Sequence, residues 1–94
     1  LTGVVMSKIE IMQSRLAVLE PQSLEIRDDS HQHLGHGGFR EDGSHFSMRI
    51  VSAQFEGKLP IARHRMVYAA LGEMMKDDIH AMNIDAKTPA EATA

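Results

Sequence analysis

Histidines dominate the residues of this chain that could do chemistry. The sequence has six histidines and no cysteine in 94 residues, and imidazole is the commonest metal ligand among protein side chains. His31, His33 and His36 crowd one Gly-rich stretch, whereas His80 stands alone further along the chain. Without a thiol, the chain binds a metal ion through nitrogen or relies on sulfur that another molecule supplies.

Two interpretations of these histidines are open from residue types alone. Alternating histidines in a flexible loop are able to reach one metal ion, so His31, His33 and His36 fit a simple zinc or nickel site. The alternative is a solvated polar loop without metal, and an isolated histidine such as His80 is often satisfied by a backbone carbonyl. The spacing of the histidines does not decide between these interpretations.

A basic cluster forms the second candidate site. Arg63 and Arg65 flank His64 on the first turns of a predicted helix, and Lys58 precedes them. Arginines at a helix N-terminus are typical of anion sites, so phosphate or nucleic acid is one interpretation. The alternative is that these side chains pair with acids and fix the helix to the sheet. The candidate acids are Glu25, Asp28, Asp29 and Glu56.

Charge and motifs narrow the class of function. A net charge of −3 argues against avid, sequence-independent binding of nucleic acid. No glycine-rich segment has the spacing of a P-loop or a Rossmann motif, and no set of side chains resembles a hydrolytic apparatus. We therefore expect a protein that is not an enzyme. No apolar run approaches the roughly 18 residues that a membrane span needs.

Hydrophobic periodicity predicts the elements that position these residues. Apolar side chains three and four apart predict helices over residues 5–19 and 60–75. Alternation of apolar and polar residues predicts three strands, which include residues 24–26, 46–52 and 82–84. Thr88 and Glu91 have the spacing of a capping box, so a short final helix is expected.

The order helix, strand, strand, helix, strand, short helix predicts an α+β fold. A hairpin-like link makes the first two strands antiparallel, and a helical crossover makes the second and third parallel. We expect a three-stranded mixed sheet whose other face, with Ser47, Arg49 and Val51, is more exposed. The helices should cover one face of the sheet and bury Ile9, Leu16, Phe46, Ile50, Val67 and Leu71.

One domain is expected over residues 6–94, since a chain of this length supports a single modest core. Residues 1–5 are expected to be a leader or added residues that precede it.

An ordered set of segments across about residues 8 to 86 resembles the BolA family. The most specific segments are Phe55-x-Gly57, Arg63-His64-Arg65-x-Val67-Tyr68 and His80-Ala81. Supporting segments are Leu24-Glu25-Ile26-Arg27-Asp28-Asp29-Ser30 and Gly43-Ser44-His45-Phe46. Each segment alone is a weak signal, but the ordered set is specific to this family.

The resemblance implies a fold similar to class II KH domains and a role in iron–sulfur cluster handling. In that family a monothiol glutaredoxin and its glutathione hold one side of a shared [2Fe–2S] cluster, and the BolA-like protein holds the other. The resemblance assigns the ligands of this chain to His80 and a loop histidine, which alignment on residues 28–30 places at His33. His31 and His36 remain alternatives because the loop has several histidines and a Gly-rich insertion.

The resemblance has further implications for partners and location. Because the chain has no thiolate, the isolated protein should bind no cluster tightly. The expected location is the cytoplasm, or the mitochondrion in a eukaryote. Some BolA-like proteins are transcription regulators linked to stress responses, so the second implied function is DNA binding through Lys58, Arg63 and Arg65.

Overall fold

Four helices and three strands make up the described part of the chain. The computed structural model describes residues 7–29, 45–77, 79 and 81–93. In chain order the elements are α1 Lys8–Leu16, β1 Ser23–Asp28, β2 His45–Val51, α2 Pro60–Leu71, α3 Met74–Asp77, β3 Ala81–Lys87 and α4 Pro89–Thr93. Two 3-10 turns, Ala17–Leu19 and Ala53–Phe55, follow α1 and β2. None of the helices in these ranges has the length and apolar character to cross a membrane.

Strand β2 lies at the centre of a three-stranded mixed sheet. It pairs antiparallel with β1 and parallel with β3. A parallel neighbour cannot follow through a tight hairpin, and here α2 and α3 provide the crossover. The predicted α+β fold with a three-stranded mixed sheet is therefore confirmed.

A capping box sets the start of α1. Ser7 has extended backbone, its hydroxyl accepts from the Glu10 N–H at 3.1 Å, and its own N–H donates to the Glu10 carboxylate at 2.8 Å. These bonds satisfy amides that have no partner within the helix. The helix thus begins at Lys8, whereas the apolar stripe alone predicted a start at residue 5.

Gly72 divides the second predicted helix into two. Its φ of 60° lies in the region that favours glycine, and its N–H donates to the Tyr68 carbonyl at 2.9 Å, which closes α2. The Arg15 guanidinium donates to the carbonyl of Leu71, the last residue of α2, at 3.3 Å. Residues 60–75 were predicted as one helix, but the chain forms α2 and then α3 because α2 ends at this glycine.

The core lies between the helices and one face of the sheet. Leu16, Phe46, Ile50, Val67 and Leu71 are all buried as predicted. They pack together with Met12, Leu19, Met48, Phe55, Met74 and Ile79. The prediction for Ile9 was too strong, since that side chain is half-buried and packs against the margin of the core.

Val51 corrects the expectation for the opposite, open face of the sheet. Ser47 is half-buried and Arg49 is exposed, but Val51 is only 4% exposed. Val51 lies at the end of β2 between Ser23 and Lys87 on the neighbouring strands. Lys87 is half-buried there, and the aliphatic part of a lysine is able to cover apolar surface. The open face is therefore exposed along its middle and closed at this end.

Replacing Leu71 with alanine tests the predicted core. Leu71 is fully buried in the packed cluster, so Leu71→Ala should lower the free energy of unfolding by about 2–5 kcal/mol. Urea denaturation of both proteins measures this difference. Val18→Ala is the control, because Val18 is 67% exposed and its truncation should change stability by less than about 0.5 kcal/mol. A similar, small effect of both substitutions would contradict this core.

Candidate functional site

Three strand ends meet at one end of the sheet, which we call the loop end. β1 finishes at Asp28 and the N–H of the next residue, Asp29, donates to the His45 carbonyl at 2.8 Å. His45 begins β2 and is paired in register with Ala81, which begins β3. The end of β1 and the starts of β2 and β3 therefore lie side by side.

The predicted ligands His31, His33, His36 and His80 lie outside the described residues. Their points of attachment are described. Residues 30–44 join Asp29 to His45, and residue 80 directly precedes Ala81. Adjacent Cα atoms are about 3.8 Å apart across a trans peptide. Residue 80 and the two ends of residues 30–44 are therefore all joined to the loop end.

A polar cluster fixes the loop end on the open face of the sheet. The Asp29 carboxylate accepts from the Arg27 guanidinium at 2.6 Å and from the Ser47 hydroxyl. The bond to Asp29 raises the pKa of Arg27. The Asp29 side chain is 13% exposed, against 71% for Arg27. The cluster holds the end of β1 against β2 where residues 30–44 begin.

His45 is a residue at the loop end that the sequence analysis did not consider as a site residue. It is half-buried, it opens β2, and it is paired with Ala81, the residue after His80. Strand alternation places His45 on the same face as Ser47. The signal in the sequence was its place at the start of residues 45–50, in which polar and apolar side chains alternate. The loop end thus carries one described imidazole beside the attachment points of the predicted ligands.

The donor chemistry of the chain fits a partial ligand set. Within the ranges 7–29, 45–77, 79 and 81–93, no three histidine, aspartate or glutamate side chains converge as a metal site. The whole sequence has no cysteine. Iron held by two imidazoles on one side and two thiolates on the other is an established arrangement for a [2Fe–2S] cluster. Of the two ligand types in this arrangement, the sequence contains imidazole and no thiolate.

Arg63, one residue of the basic cluster, is held by intramolecular bonds. Its guanidinium forms a two-pronged ion pair with Glu91 at 2.6 and 3.2 Å, and it donates to the Ala86 carbonyl at 3.1 Å. It also donates to the Lys58 carbonyl at 2.9 Å, and its side chain is only 12% exposed. Arg63 therefore ties α2 to β3 and α4. The acid is Glu91 and not one of the four considered from sequence.

The other basic residues of this cluster are placed differently. Lys58 and Arg65 are exposed, and neither forms an ion pair within the described part of the chain. His64 is half-buried on α2. Lys58 and Arg65 are thus the members of the cluster whose charges face solvent.

Glu91 belongs to the capping box of α4 as well as to the ion pair. Its carboxylate accepts from the Thr88 N–H at 2.9 Å, and its own N–H donates to the Thr88 hydroxyl at 3.2 Å. The bond from Arg63, followed by the bond from the Thr88 N–H, lowers the pKa of Glu91 to about 2. The capping box that the sequence predicted is confirmed, and its carboxylate also anchors Arg63.

Exposed apolar side chains lie beside the basic residues of α2. Leu59 is 72% exposed, Ile61 60% and Tyr68 41%. Ile61, Arg65 and Tyr68 are spaced four and three apart, so they share one face of the helix. A mixed apolar and basic face is more typical of contact with protein than with a phosphate backbone.

Comparisons with known proteins agree on one family. A family model described as BolA-like protein matches residues 16–91. Protein BOLA1, chloroplastic, of Arabidopsis thaliana is 40% identical over 97% of this chain and 59% of that protein. SufE-like protein 1, chloroplastic/mitochondrial, of the same plant is 47% identical over 78% of this chain and 21% of that protein. The chain thus spans a fifth to three-fifths of these two curated relatives.

A solved structure confirms the architecture. The structure of BolA1 from Arabidopsis thaliana superposes with a TM-score of 0.81 at 40% identity, covering 94% of this chain and 98% of that one. The superposition extends over nearly the whole length of this chain.

The Arg63–Glu91 ion pair predicts a pH dependence of stability. The pKa of Glu91 is about 2 in the folded protein and about 4.5 ordinarily, so the pair stabilises fully above about pH 4.5. This contribution falls as the pH drops from 4.5 and is lost below about pH 2. Glu91→Gln should remove that part of the pH dependence, as measured by urea midpoints across this range.

The matched control is Glu73→Gln, which removes an exposed carboxylate that has no ion pair among the described residues. Equal acid sensitivity of the wild-type protein and Glu91→Gln would contradict the assigned role of the pair.

Proposed function

The chain belongs to the BolA family, and on that premise we propose that it is an adaptor for a monothiol glutaredoxin. In this proposal the two proteins share, assemble or transfer a [2Fe–2S] cluster, which is cargo and not a resident cofactor. Family membership and the likeness to SufE-like protein 1 support an iron–sulfur role. In this proposal the chain binds and hands over the cluster as an adaptor and does not act as an enzyme.

The observation that carries this proposal is the meeting of three strand ends at the loop end. Asp29 and His45 bound residues 30–44, and Ala81 follows residue 80. Hydrogen bonding and register hold these three described residues side by side. This arrangement supports a site that takes one ligand from the loop and one from position 80.

The missing sulfur determines what kind of partner the chain needs. A [2Fe–2S] cluster takes four protein or cofactor ligands, and the arrangement with two imidazoles needs two thiolates. In our proposal His80 and His33 supply the imidazoles, with His31 and His36 as alternatives in the loop. The glutaredoxin cysteine and glutathione supply the thiolates. The isolated chain should then hold no cluster tightly.

The location that we propose for this chain follows from its need for a partner that supplies the thiolates. The two curated relatives are named chloroplastic and chloroplastic/mitochondrial. For this chain we propose a compartment that contains a monothiol glutaredoxin, which is the cytoplasm, or the mitochondrion in a eukaryote.

Histidine variants test the ligand assignment. The chain would be titrated into a glutathione-loaded [2Fe–2S] glutaredoxin while visible circular dichroism records the cluster environment. His80→Ala should abolish the spectrum of the shared cluster, because position 80 is joined directly to paired backbone at Ala81. His33→Ala should weaken or alter the spectrum, and replacing His31 and His36 as well should abolish it.

His64→Ala is the matched control, since it removes a half-buried histidine from α2 and should leave the spectrum unchanged. Far-ultraviolet circular dichroism and a thermal melt establish that each variant is folded. An intact heterocomplex spectrum with folded His80→Ala would contradict the proposal.

DNA binding is the second candidate, and exposed Lys58 and Arg65 are the observation in its favour. Neutralising both, as Lys58→Gln with Arg65→Gln, should weaken binding and reduce the salt slope by about one unit for each phosphate that the variant no longer neutralises. Arg63 is left unchanged because its loss would also break the ties to Ala86 and Glu91. Binding to a DNA duplex that is unmeasurable at physiological salt, or unaltered in the double variant, would exclude this function for the surface.

A further inference from the structure

Strand β1 forms one edge of the sheet, and the outward backbone groups of Leu24 and Ile26 have no partner among the described residues. β1 pairs only with β2. The bond from the Asp29 N–H to the His45 carbonyl fixes the antiparallel alternation. Glu25 and Arg27 therefore bond through their backbone to β2, whereas Leu24 and Ile26 present their N–H and C=O groups outward. Within the described residues, these outward groups make no hydrogen bond.

The opposite edge of the sheet is treated differently. The Ser52 N–H donates to the Lys87 carbonyl, so the backbone of Ala86 in β3 points away from β2. Arg63 donates to that Ala86 carbonyl at 3.1 Å. A charged side chain on an edge carbonyl is a common protection against further strand pairing. Nothing comparable caps Leu24 or Ile26 in the described part of β1.

The residues before and after Ile26 in β1 carry opposite charges, and their side chains lie on the open face of the sheet. Glu25 and Arg27 are both exposed. Glu25 makes no hydrogen bond or ion pair within the described residues, although Arg49 lies directly across on β2. Arg49 instead lies 4.0 Å from Asp85. Arg27 donates to Asp29 through Nε and to the Ser47 hydroxyl through Nη2, and its guanidinium has further N–H donors.

We propose that β1 pairs antiparallel with β1 of a second copy of this chain about a two-fold axis at Ile26. In this register Ile26 faces Ile26 of the second copy as a hydrogen-bonded pair, because its backbone groups point outward. Glu25 then faces Arg27 on both sides of the axis. These are non-hydrogen-bonded pairs, in which side chains approach most closely. The result is one continuous sheet across an isologous interface.

The charges select this register and this occupant. The nearest alternative symmetric registers keep the outward backbone groups paired, but they place Glu25 opposite Glu25 or Arg27 opposite Arg27. Like charges directly opposite each other destabilise a strand pair, whereas opposite charges stabilise it. A strand that carries an acid and a base at equal distances from its outward-facing centre is complementary to itself. Leu24 and Ile26, half-buried on the helix side, add apolar contact across the axis.

Charge-reversal variants test the interface by sedimentation equilibrium over a range of protein concentrations. The wild-type chain should show a monomer–dimer equilibrium. Glu25→Arg and Arg27→Glu each place like charges opposite each other twice, so each should weaken dimerisation about tenfold or more. The double variant with both changes restores opposite pairs across the axis and should dimerise more strongly than either single variant, while it lacks the ion pair between Arg27 and Asp29.

A mixture of the two single variants provides an internal control. Glu25→Arg carries two bases and Arg27→Glu carries two acids, so the mixture should form heterodimers while neither variant dimerises well alone. Glu73→Arg is the matched control: it makes the same change at an exposed position in the turn between α2 and α3, and should leave dimerisation unchanged.

Two results would overturn the proposal. One is a wild-type chain that stays monomeric up to about 1 mM, which corresponds to a dimer weaker than about 4 kcal/mol. The other is a folded double variant that associates as poorly as the single variants. Glu25→Arg removes no contact within the described residues, so its effect is separable from a loss of folding. No glutaredoxin or cluster enters the experiment, which makes its outcome independent of the proposed function.

Discussion

The parallel pairing of β2 with β3 is the constraint on which the candidate site depends. Parallel strands begin at the same end of a sheet, so Ala81 lies beside His45, and antiparallel β1 brings Asp29 to that same end. Such pairing requires a crossover, which α2 and α3 provide while they cover the core face. If β3 ran in the opposite direction, residue 80 would be attached at the far end of the sheet from residues 30–44. The proposed ligand at position 80 and the proposed loop ligand would then be attached at opposite ends of the sheet.

The charged residues divide into those that hold the domain together and those that face outward. Arg63 joins three elements through Glu91 and the Ala86 carbonyl, and it thereby also protects one edge of the sheet. Arg65 projects from the same helix turn into solvent. Two arginines in one short motif thus have different roles, and a basic motif by itself does not define an anion site. Among the described residues, nothing gives the same protection to Leu24 and Ile26 on the edge formed by β1.

Much of the fold was predictable from local pattern, because alternation and three-four spacing record which side chains face the core. The strands, the mixed sheet and the Thr88–Glu91 capping box follow from such signals. Gly72 was not predicted as a break, since the apolar spacing continues through Met74. The pairing of Arg63 with Glu91 joins residues 28 apart, and no local pattern encodes such a contact. The metal ligands were assigned through family resemblance, and only their points of attachment lie among the described residues.

The central claim is that this chain supplies imidazole to a cluster whose sulfur ligands come from a partner. Pulsed electron paramagnetic resonance on the reduced heterocomplex tests it directly. The chain would carry ¹⁵N only in its histidines, and the glutaredoxin and glutathione would be unlabelled. Our account predicts strong ¹⁵N couplings from directly bound imidazole, which are lost together with the shared cluster when His80 is replaced by alanine. A stable heterocomplex whose cluster shows no ¹⁵N coupling would contradict the account.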